Sequence, residues 1–172
     1  MVSNIPKKIK KRDGRVVDFN IDRIATAIHK AMEASGQPNR KVAKELAEGV
    51  VEALIKKHKK AAPPAGGFVP TIEEIQDFVE EALIERGYAK VAKRYILYRQ
   101  KRAEIRQEKQ KILDKEEIDD IDKRFDVNAL RVLRSRYLRK DDSDKVTESP
   151  AQLFERVALH ATLPEILYDE RV

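Results

Sequence analysis

The chain has 172 residues with a net charge of +6; 38% of them are charged, 41% apolar and 6% aromatic. That length fits one ordinary domain or two small ones, and the apolar content supports a modest core rather than wholesale disorder. Cysteine is absent, which excludes disulfides, thiolate metal sites and cysteine nucleophiles within this chain. No apolar run approaches the roughly 18 residues of a membrane span, and no signal peptide opens the sequence. We therefore expect a soluble, cytoplasmic protein.

The charge is unevenly distributed along the chain. Residues 1–103 carry 22 basic and 13 acidic side chains, whereas residues 104–172 carry 14 basic and 17 acidic ones. An anionic ligand is therefore expected at the first part. Nucleic acid and a compact polyphosphate both fit this pattern.

The beginning of the chain predicts a β-hairpin. Residues 5–12 and 15–19 flank Asp13-Gly14, a pair favoured in two-residue type I′ turns, where both positions need a positive φ. Four cations surround this tip: Lys10, Lys11, Arg12 and Arg15. They could form a mobile basic flap that closes over phosphates, or a solvated turn that is charged for solubility.

Cap signals predict four helices after the hairpin. Asn20 caps the first, which ends at Gly36, and Asn39 caps the second, which ends in a lysine run at 56–60. A loop rich in proline and glycine follows at 61–67. Thr71 and Glu74 form a capping box for the third helix, and the fourth starts near Tyr88.

Two tyrosines of the fourth helix lie at different helical positions. We interpret Tyr95 as a core residue and leave Tyr98 open between core and a stacking surface for a base. The polar continuation at 101–113 has little to bury and predicts a solvated helix. Residues 115–126 are acidic and poorly periodic, which indicates a boundary.

Two further helices are predicted beyond this boundary. The first carries Leu130 and Leu138. The second starts at Ser149-Pro150, with serine as cap, proline in the first turn, and Leu153, Phe154 and Val157 on its buried face. The predicted division is therefore 1–103, a charged spacer at 104–126, and a helical segment at 127–172.

A second basic cluster lies on the fourth helix, and it consists of Arg94, Arg99, Lys101 and Arg102. If the helices pack beneath the hairpin, this cluster and the hairpin cations face one cleft. The alternative is that these cations complement the helix macrodipole.

Motifs for catalysis are absent from the sequence. Neither a Walker A sequence nor GxGxxG occurs, so a bound nucleotide would be held by side chains and helix N-termini. The three histidines are scattered and form no triad pattern. We predict no catalytic residue and no protein-bound metal site in this chain.

Four segments carry a family resemblance. They are residues 9–15 (IKKRDGR), 17–24 (VDFNIDRI), 71–76 (TIEEIQ) and 92–99 (AKRYILYR). In this order they resemble an ATP-cone, a small nucleotide-sensing domain of many ribonucleotide reductases. The resemblance implies a mainly α fold, in which a β-hairpin flap covers a four-helix bundle.

The resemblance also implies a ligand and its contacts. The ligand is ATP or dATP, usually with magnesium. By motif position, Lys11, Arg12 and Lys101 correspond to phosphate contacts, and Asn20, Arg23 and Ile24 to the turn that holds base and ribose. Thr71 and Tyr98 correspond to the rest of the pocket. Where some members have an acid near the adenine, this chain has Val17 or Asp18.

The tail carries a second resemblance. Residues 128–141 and 148–158 are similar to the first segment of a reductase catalytic subunit, closest to the adenosylcobalamin-dependent, or class II, type. The family's active-site cysteines lie in a barrel that this sequence does not reach. We therefore expect a catalytic domain in cis or as a split subunit, and adenosylcobalamin in that parent enzyme only.

These observations predict an allosteric region that binds ATP and dATP and controls deoxyribonucleotide synthesis, with a possible homo-oligomer. Two alternatives stay open. One is a nucleic-acid-binding module that uses the same basic flap, with binding that weakens steeply with salt. The other is an assembly domain whose cone no longer binds nucleotide.

Overall fold

The computed structural model describes residues 5–59 and 68–168, and the chain divides between Gln100 and Lys101 into two compact units. Its elements are β1 (Lys8–Lys10), β2 (Val16–Asp18), α1 (Ile21–Ala34), α2 (Arg40–Lys59), α3 (Ile72–Glu85), α4 (Ala89–Leu113), a 3-10 turn (Asp122–Arg124), α5 (Val127–Arg136) and α6 (Pro150–Tyr168). The predicted fold class, mainly helical with a small antiparallel hairpin, is confirmed. The predicted loop at 61–67 lies outside the described residues. No described helix has the length and apolar character needed to cross a bilayer.

The hairpin turn differs from the predicted two-residue type I′ turn. β1 and β2 pair antiparallel, but Lys11 N–H donates to the Arg15 carbonyl (2.8 Å) and Gly14 N–H donates to the Lys11 carbonyl (3.1 Å). The loop therefore has three residues, 12–14, and of these only Gly14 has a positive φ, at 73°. The Asp13 carboxylate accepts from Arg15 N–H, a local bond typical of Asx turns. A turn followed by a left-handed glycine is the usual three-residue solution.

A backbone contact joins the hairpin to the segment before α3. Lys10 N–H donates to the Pro70 carbonyl (2.9 Å), and Lys10 forms a parallel bridge with Thr71. Because this bond uses the outer edge of β1, the short hairpin is anchored although two strands alone are marginal in water.

Polar caps start the first three helices at the predicted residues. The Asn20 and Asn39 side chains accept from the N–H groups of Asp22 and Val42, at 2.8 and 3.1 Å. Thr71 Oγ1 accepts from Glu74 N–H at 3.1 Å. These bonds satisfy donors that the first turn of a helix leaves free.

Glu74 does not complete the predicted capping box. Its Oε1 lies 2.7 Å from Lys57 Nζ and 3.0 Å from His58 Nε2, so its carboxylate joins α3 to α2 instead of returning to the cap. The His58 ring stacks on Phe68 with centroids 4.2 Å apart. The predicted interaction is replaced because two basic groups of α2 are stronger partners than one backbone N–H.

The core of the first unit is built from the predicted helix faces. Its fully buried large side chains are Ile28, Met32, Leu46, Val50, Leu54, Val79, Leu83 and Val91. Tyr95 is 9% exposed, which confirms its interpretation as core, whereas Tyr98 is 66% exposed.

The second unit has a core of its own, formed by Leu113, Ile118, Leu130, Leu138 and Leu153. The expectation that the end of the fourth helix has little to bury is therefore wrong, because that core holds Leu113, and Ile118 from the acidic stretch joins it. The three-part domain division stays a prediction.

Helix α6 begins as predicted but buries less. Ser149 Oγ accepts from Gln152 N–H, and Gln152 Oε1 accepts from Ser149 N–H, which is a reciprocal capping box. Leu153 is buried, but Phe154 and Val157 are 48% and 51% exposed, contrary to the prediction. Phe154 stacks on Phe125 with ring centroids 5.9 Å apart and nearly parallel planes, and this contact leaves about half of the side chain exposed.

Neighbouring residues of α3 test the core assignment. Leu83 is fully buried and Ile84 is 58% exposed. We expect Leu83→Ala to destabilise the first unit by about 2–5 kcal/mol, because it removes buried methyl groups and leaves a cavity. Ile84→Ala should change stability by less than about 0.5 kcal/mol. Urea unfolding followed by NMR signals of the first unit measures both; equal effects would contradict the assignment.

The ion pair at Glu74 predicts a pH dependence of stability. Burial raises the pKa of Glu74, but Lys57 and His58 outweigh it and lower that pKa below the ordinary 4.5. Because the folded pKa lies below the unfolded one, the stabilisation is present above about pH 4.5 and is lost as pH falls through the folded value.

We expect Glu74→Gln to lower the urea midpoint of the first unit at about pH 6, with the gap to the parent chain closing towards about pH 3. Glu85→Gln, which removes the same charge from an exposed position of α3, is the matched control. A gap that stays constant with pH would show that the carboxylate charge is not the stabilising feature.

Candidate functional site

A cavity of about 240 Å³ lies between the hairpin and helices α1, α3 and α4. The hairpin and the turn after it contribute Ile9, Lys11, Val17, Asp18, Phe19 and Asn20; α1 contributes Arg23, Ile24 and Ala27; α3 contributes Ile72, Ile75, Gln76 and Val79; and α4 contributes Tyr95. Most of this lining is apolar, with a few polar groups. That composition is typical of small-molecule sites.

Simple periodicities bring these residues together. Ile9 and Val17 are register partners in the hairpin, so their side chains lie on the same face. On α1, Asn20, Arg23 and Ala27 follow helical spacing from the cap onward, and the pocket residues of α3 do the same. Four predicted site residues, Lys11, Asn20, Arg23 and Ile24, line this one cavity.

Both described cations of the cavity lining lack an acidic partner within the described residues. Among the described residues, no carboxylate lies within ion-pair distance of Lys11 or Arg23. The side-chain oxygen of Asn20 caps α1. Its side-chain nitrogen, Nδ2, has no hydrogen-bond partner within the described part of the chain. The cavity therefore has free hydrogen-bond donors, and an anionic or polar ligand can accept hydrogen bonds from them.

Arg12, the third predicted flap residue, does not line the cavity. Its Nε donates to Glu73 Oε1, and its Nη2 donates to Gln76 Oε1 at 2.9 Å. The arginine next to Lys11 is thus bound to α3, while Lys11 itself stays available.

Arg99, from the second basic cluster, also binds α3. Its Nη1 lies 2.7 Å from both Asp77 Oδ1 and Glu80 Oε1. Partial burial lowers the pKa of Arg99, but the hydrogen bonds to Glu80 and Asp77 raise it by more, so the net shift is upward. Burial raises the pKa of the nearby Tyr95 hydroxyl to about 12, although the charge of Arg99 opposes the shift. Tyr95 therefore remains neutral beside the cavity at physiological pH.

The remaining predicted residues lie elsewhere. Thr71 caps α3 and lines a separate, mainly acidic depression of about 350 Å³. Tyr98 is exposed on α4, and Lys101 is exposed in the second unit. Arg94 lines another depression of about 340 Å³, together with Lys90 and Lys93. Within the first unit, the charge of Arg99 acts on the Tyr95 hydroxyl.

Among the polar lining residues, Gln76 was not predicted as a contact, whereas Asp18 is one of the two residues named at the place where some family members have an acid. Gln76 belongs to the TIEEIQ segment and is half-buried, and Asp18 is the only carboxylate that lines the cavity among the described residues. Helical spacing from Ile72 could have identified Gln76, because i and i+4 share a face. In the described residues, no group of three or more histidine or acidic side chains could hold a metal ion.

Comparisons with known proteins agree with this architecture. Residues 7–104 match the ATP cone domain family, and residues 123–171 match the family described as ribonucleotide reductase, all-alpha domain. The chain is 40% identical over 168 residues to a vitamin B12-dependent ribonucleoside-diphosphate reductase of Thermoplasma acidophilum, which covers 95% of this chain and 20% of the relative.

Two further relatives have related names. A vitamin B12-dependent ribonucleoside-diphosphate reductase of Mycobacterium tuberculosis is 33% identical over 164 residues, covering 95% of this chain and 21% of the relative. A ribonucleoside-diphosphate reductase subunit alpha of Chlamydia pneumoniae is 37% identical over 108 residues, covering 59% of this chain and 10% of the relative. The chain thus spans about a fifth of the length of the B12-dependent relatives. Since the cone match extends over more than half of the sequence, the chain belongs to the ATP-cone family, and its tail is similar to the all-alpha domain of ribonucleotide reductases.

Proposed function

We propose that this chain is the regulatory region of a ribonucleotide reductase and that it senses ATP and dATP in the cavity under the hairpin. The observation that carries the proposal is the pair of unpartnered cations, Lys11 and Arg23, on the wall of an otherwise largely apolar cavity. An adenine nucleotide has the matching chemistry, because it joins a flat apolar base to a polyanion. Membership of the ATP-cone family supports the same ligand class.

The cavity volume suggests how the nucleotide lies. At about 240 Å³, the cavity is smaller than the roughly 300–1,000 Å³ of pockets that enclose a drug-sized ligand. The base and ribose would occupy it, against Ile24, Ile75 and Tyr95. The phosphates would then extend past Lys11 towards the hairpin loop and solvent.

Discrimination between ATP and dATP requires a group that contacts the ribose. The two ligands differ by one hydroxyl, and we expect the ribose to meet the Asn20 amide nitrogen and the Arg23 guanidinium, polar groups that α1 and its cap contribute to the cavity. A regulatory effect requires that the two nucleotides bind two conformational states with different affinity, since a ligand that binds both states equally shifts nothing.

A magnesium ion, where the nucleotide brings one, would be held mainly by phosphate oxygens. Magnesium commonly keeps several waters and uses few protein ligands. Asp18 is the lining carboxylate that could contact a water of such an ion.

The proposed role requires a catalytic domain in addition to this chain. The B12-dependent relatives are about five times as long as this chain. We therefore propose that a catalytic domain, in cis or as a partner subunit, performs the reduction with adenosylcobalamin, and that this region controls it.

The cavity cations give the test. We expect Lys11→Gln and Arg23→Gln each to weaken ATP binding by about tenfold to a hundredfold, since each removes a hydrogen bond from a charged donor, worth about 1.5–3 kcal/mol. Lys8→Gln changes the same charge on the same hairpin but outside the cavity, and it should leave affinity within about twofold. Isothermal titration with ATP, dATP and GTP measures all three variants.

The outcomes separate the competing functions. Saturable binding of adenine nucleotides, but not GTP, with loss in the two cavity variants would support the proposal. Equal losses in all three variants, with binding of single-stranded DNA that falls steeply with salt, would favour a nucleic-acid module. No binding heat from any nucleotide would overturn the proposal for this chain.

A further inference from the structure

The Nε/Nη2 edge of the Arg12 guanidinium already makes two hydrogen bonds within the protein. Nε donates to Glu73 and Nη2 donates to Gln76, both on the first turns of α3. This Nε/Nη2 edge is one of the two forks with which arginine binds a carboxylate or phosphate through two parallel hydrogen bonds. A phosphate that approaches this fork must displace Glu73 and Gln76.

Lys11 lies beside Arg12 in the chain but has a different environment. Lys11 lines the cavity and has no acidic partner in the described residues, whereas Arg12 is held at the loop by α3. A ligand with a short phosphate group can therefore meet Lys11 without disturbing Arg12. A longer phosphate chain that reaches the hairpin loop meets Arg12 as well.

We propose that Glu73 is a positioning residue that competes with the nucleotide phosphates for Arg12 and so sets the affinity of the site for triphosphates. This inference rests on the function proposed above. Glu73 is not among the residues that line the 240 Å³ cavity and acts through Arg12, and Gln76 assists as a neutral acceptor of the same fork. Binding of a triphosphate replaces the ion pair of Arg12 with Glu73 by an ion pair of Arg12 with phosphate. The net contribution of Arg12 to the binding free energy is therefore smaller than its charge suggests.

The exchange predicts a variant that binds more tightly. In Glu73→Gln the competing charge is removed while the side-chain size is kept, so ATP affinity should rise by about threefold to tenfold, consistent with the loss of a charge-assisted contact at a half-exposed position. AMP, whose single phosphate does not reach the loop, should change by less than about twofold. Glu85→Gln removes the same charge from the exposed end of α3 and should leave both affinities unchanged.

A double-mutant cycle separates the exchange from a general effect of charge. If Glu73 acts through Arg12, then Glu73→Gln should have no effect on ATP affinity in an Arg12→Gln background. Titration calorimetry of the four chains with magnesium and ATP or AMP measures the cycle. Circular dichroism of each variant confirms that the helices are retained.

Different results would overturn different claims. If the parent chain binds ATP but Glu73→Gln leaves the affinity unchanged or lowers it, the positioning role is wrong and the proposed function stands. If Glu73→Gln strengthens ATP binding equally with and without Arg12, the effect is a general field effect and the exchange is also wrong. If the parent chain binds neither nucleotide, the proposed function itself fails.

Discussion

Three carboxylates along one side of α3 bind the arginines of the hairpin and of α4. Glu73 contacts Arg12, and Asp77 and Glu80, one and two turns later, share Arg99. Another side of α3 buries Val79 and Leu83 in the core, which fixes the helix and therefore the acidic row. Charge-assisted hydrogen bonds of this kind have defined directions. The position of α3 consequently decides which cations of this basic domain stay available to a ligand.

The positive charge available in the cavity is much more localised than the distribution of basic residues along the sequence suggests. Residues 1–103 have an excess of nine basic side chains, but among the described residues the cations that line the cavity are Lys11 and Arg23. Solvated cations elsewhere on the surface are screened within about 10 Å at ordinary ionic strength. Under the proposed function, ligand choice depends on these two side chains beside an apolar wall, and net charge contributes mainly to long-range attraction.

Local signals in the sequence predicted most of the helical fold. The caps at Asn20, Asn39, Thr71 and Ser149 each satisfy N–H groups within three residues, so a short stretch of sequence contains all the necessary information. The hairpin loop differs from the predicted one because an Asp-Gly pair also suits a three-residue loop, and here Arg15 N–H donates to the Asp13 carboxylate within that turn.

Contacts between distant segments were harder to predict. The pairing of Arg12 with Glu73 joins residues 61 positions apart, and that of Arg99 with Asp77 joins residues 22 apart. Nothing in the spacing of charges along the chain selects these partners over other exposed carboxylates. The sequence therefore identified four residues of the cavity and the segments that surround it, but not which of its cations are already bound.

The second unit shows how a charged, aperiodic stretch can still fold. Lys109 is only 7% exposed, and its ammonium donates to the carbonyls of Asp122, Lys123 and Phe125, at the 3-10 turn. Burial lowers the pKa of Lys109, and the positive charge of Arg102 adds to the shift. The Asp122 carboxylate is fully buried and accepts from Lys115, at 2.9 Å. Because a buried ammonium needs partners, the Lys109 bonds hold the 3-10 turn against α4, and the Asp122–Lys115 ion pair joins the two ends of the loop before that turn. Hydrophobic periodicity could not predict this segment, since apart from Ile118 and Phe125 its packing depends on ammonium groups and backbone carbonyls.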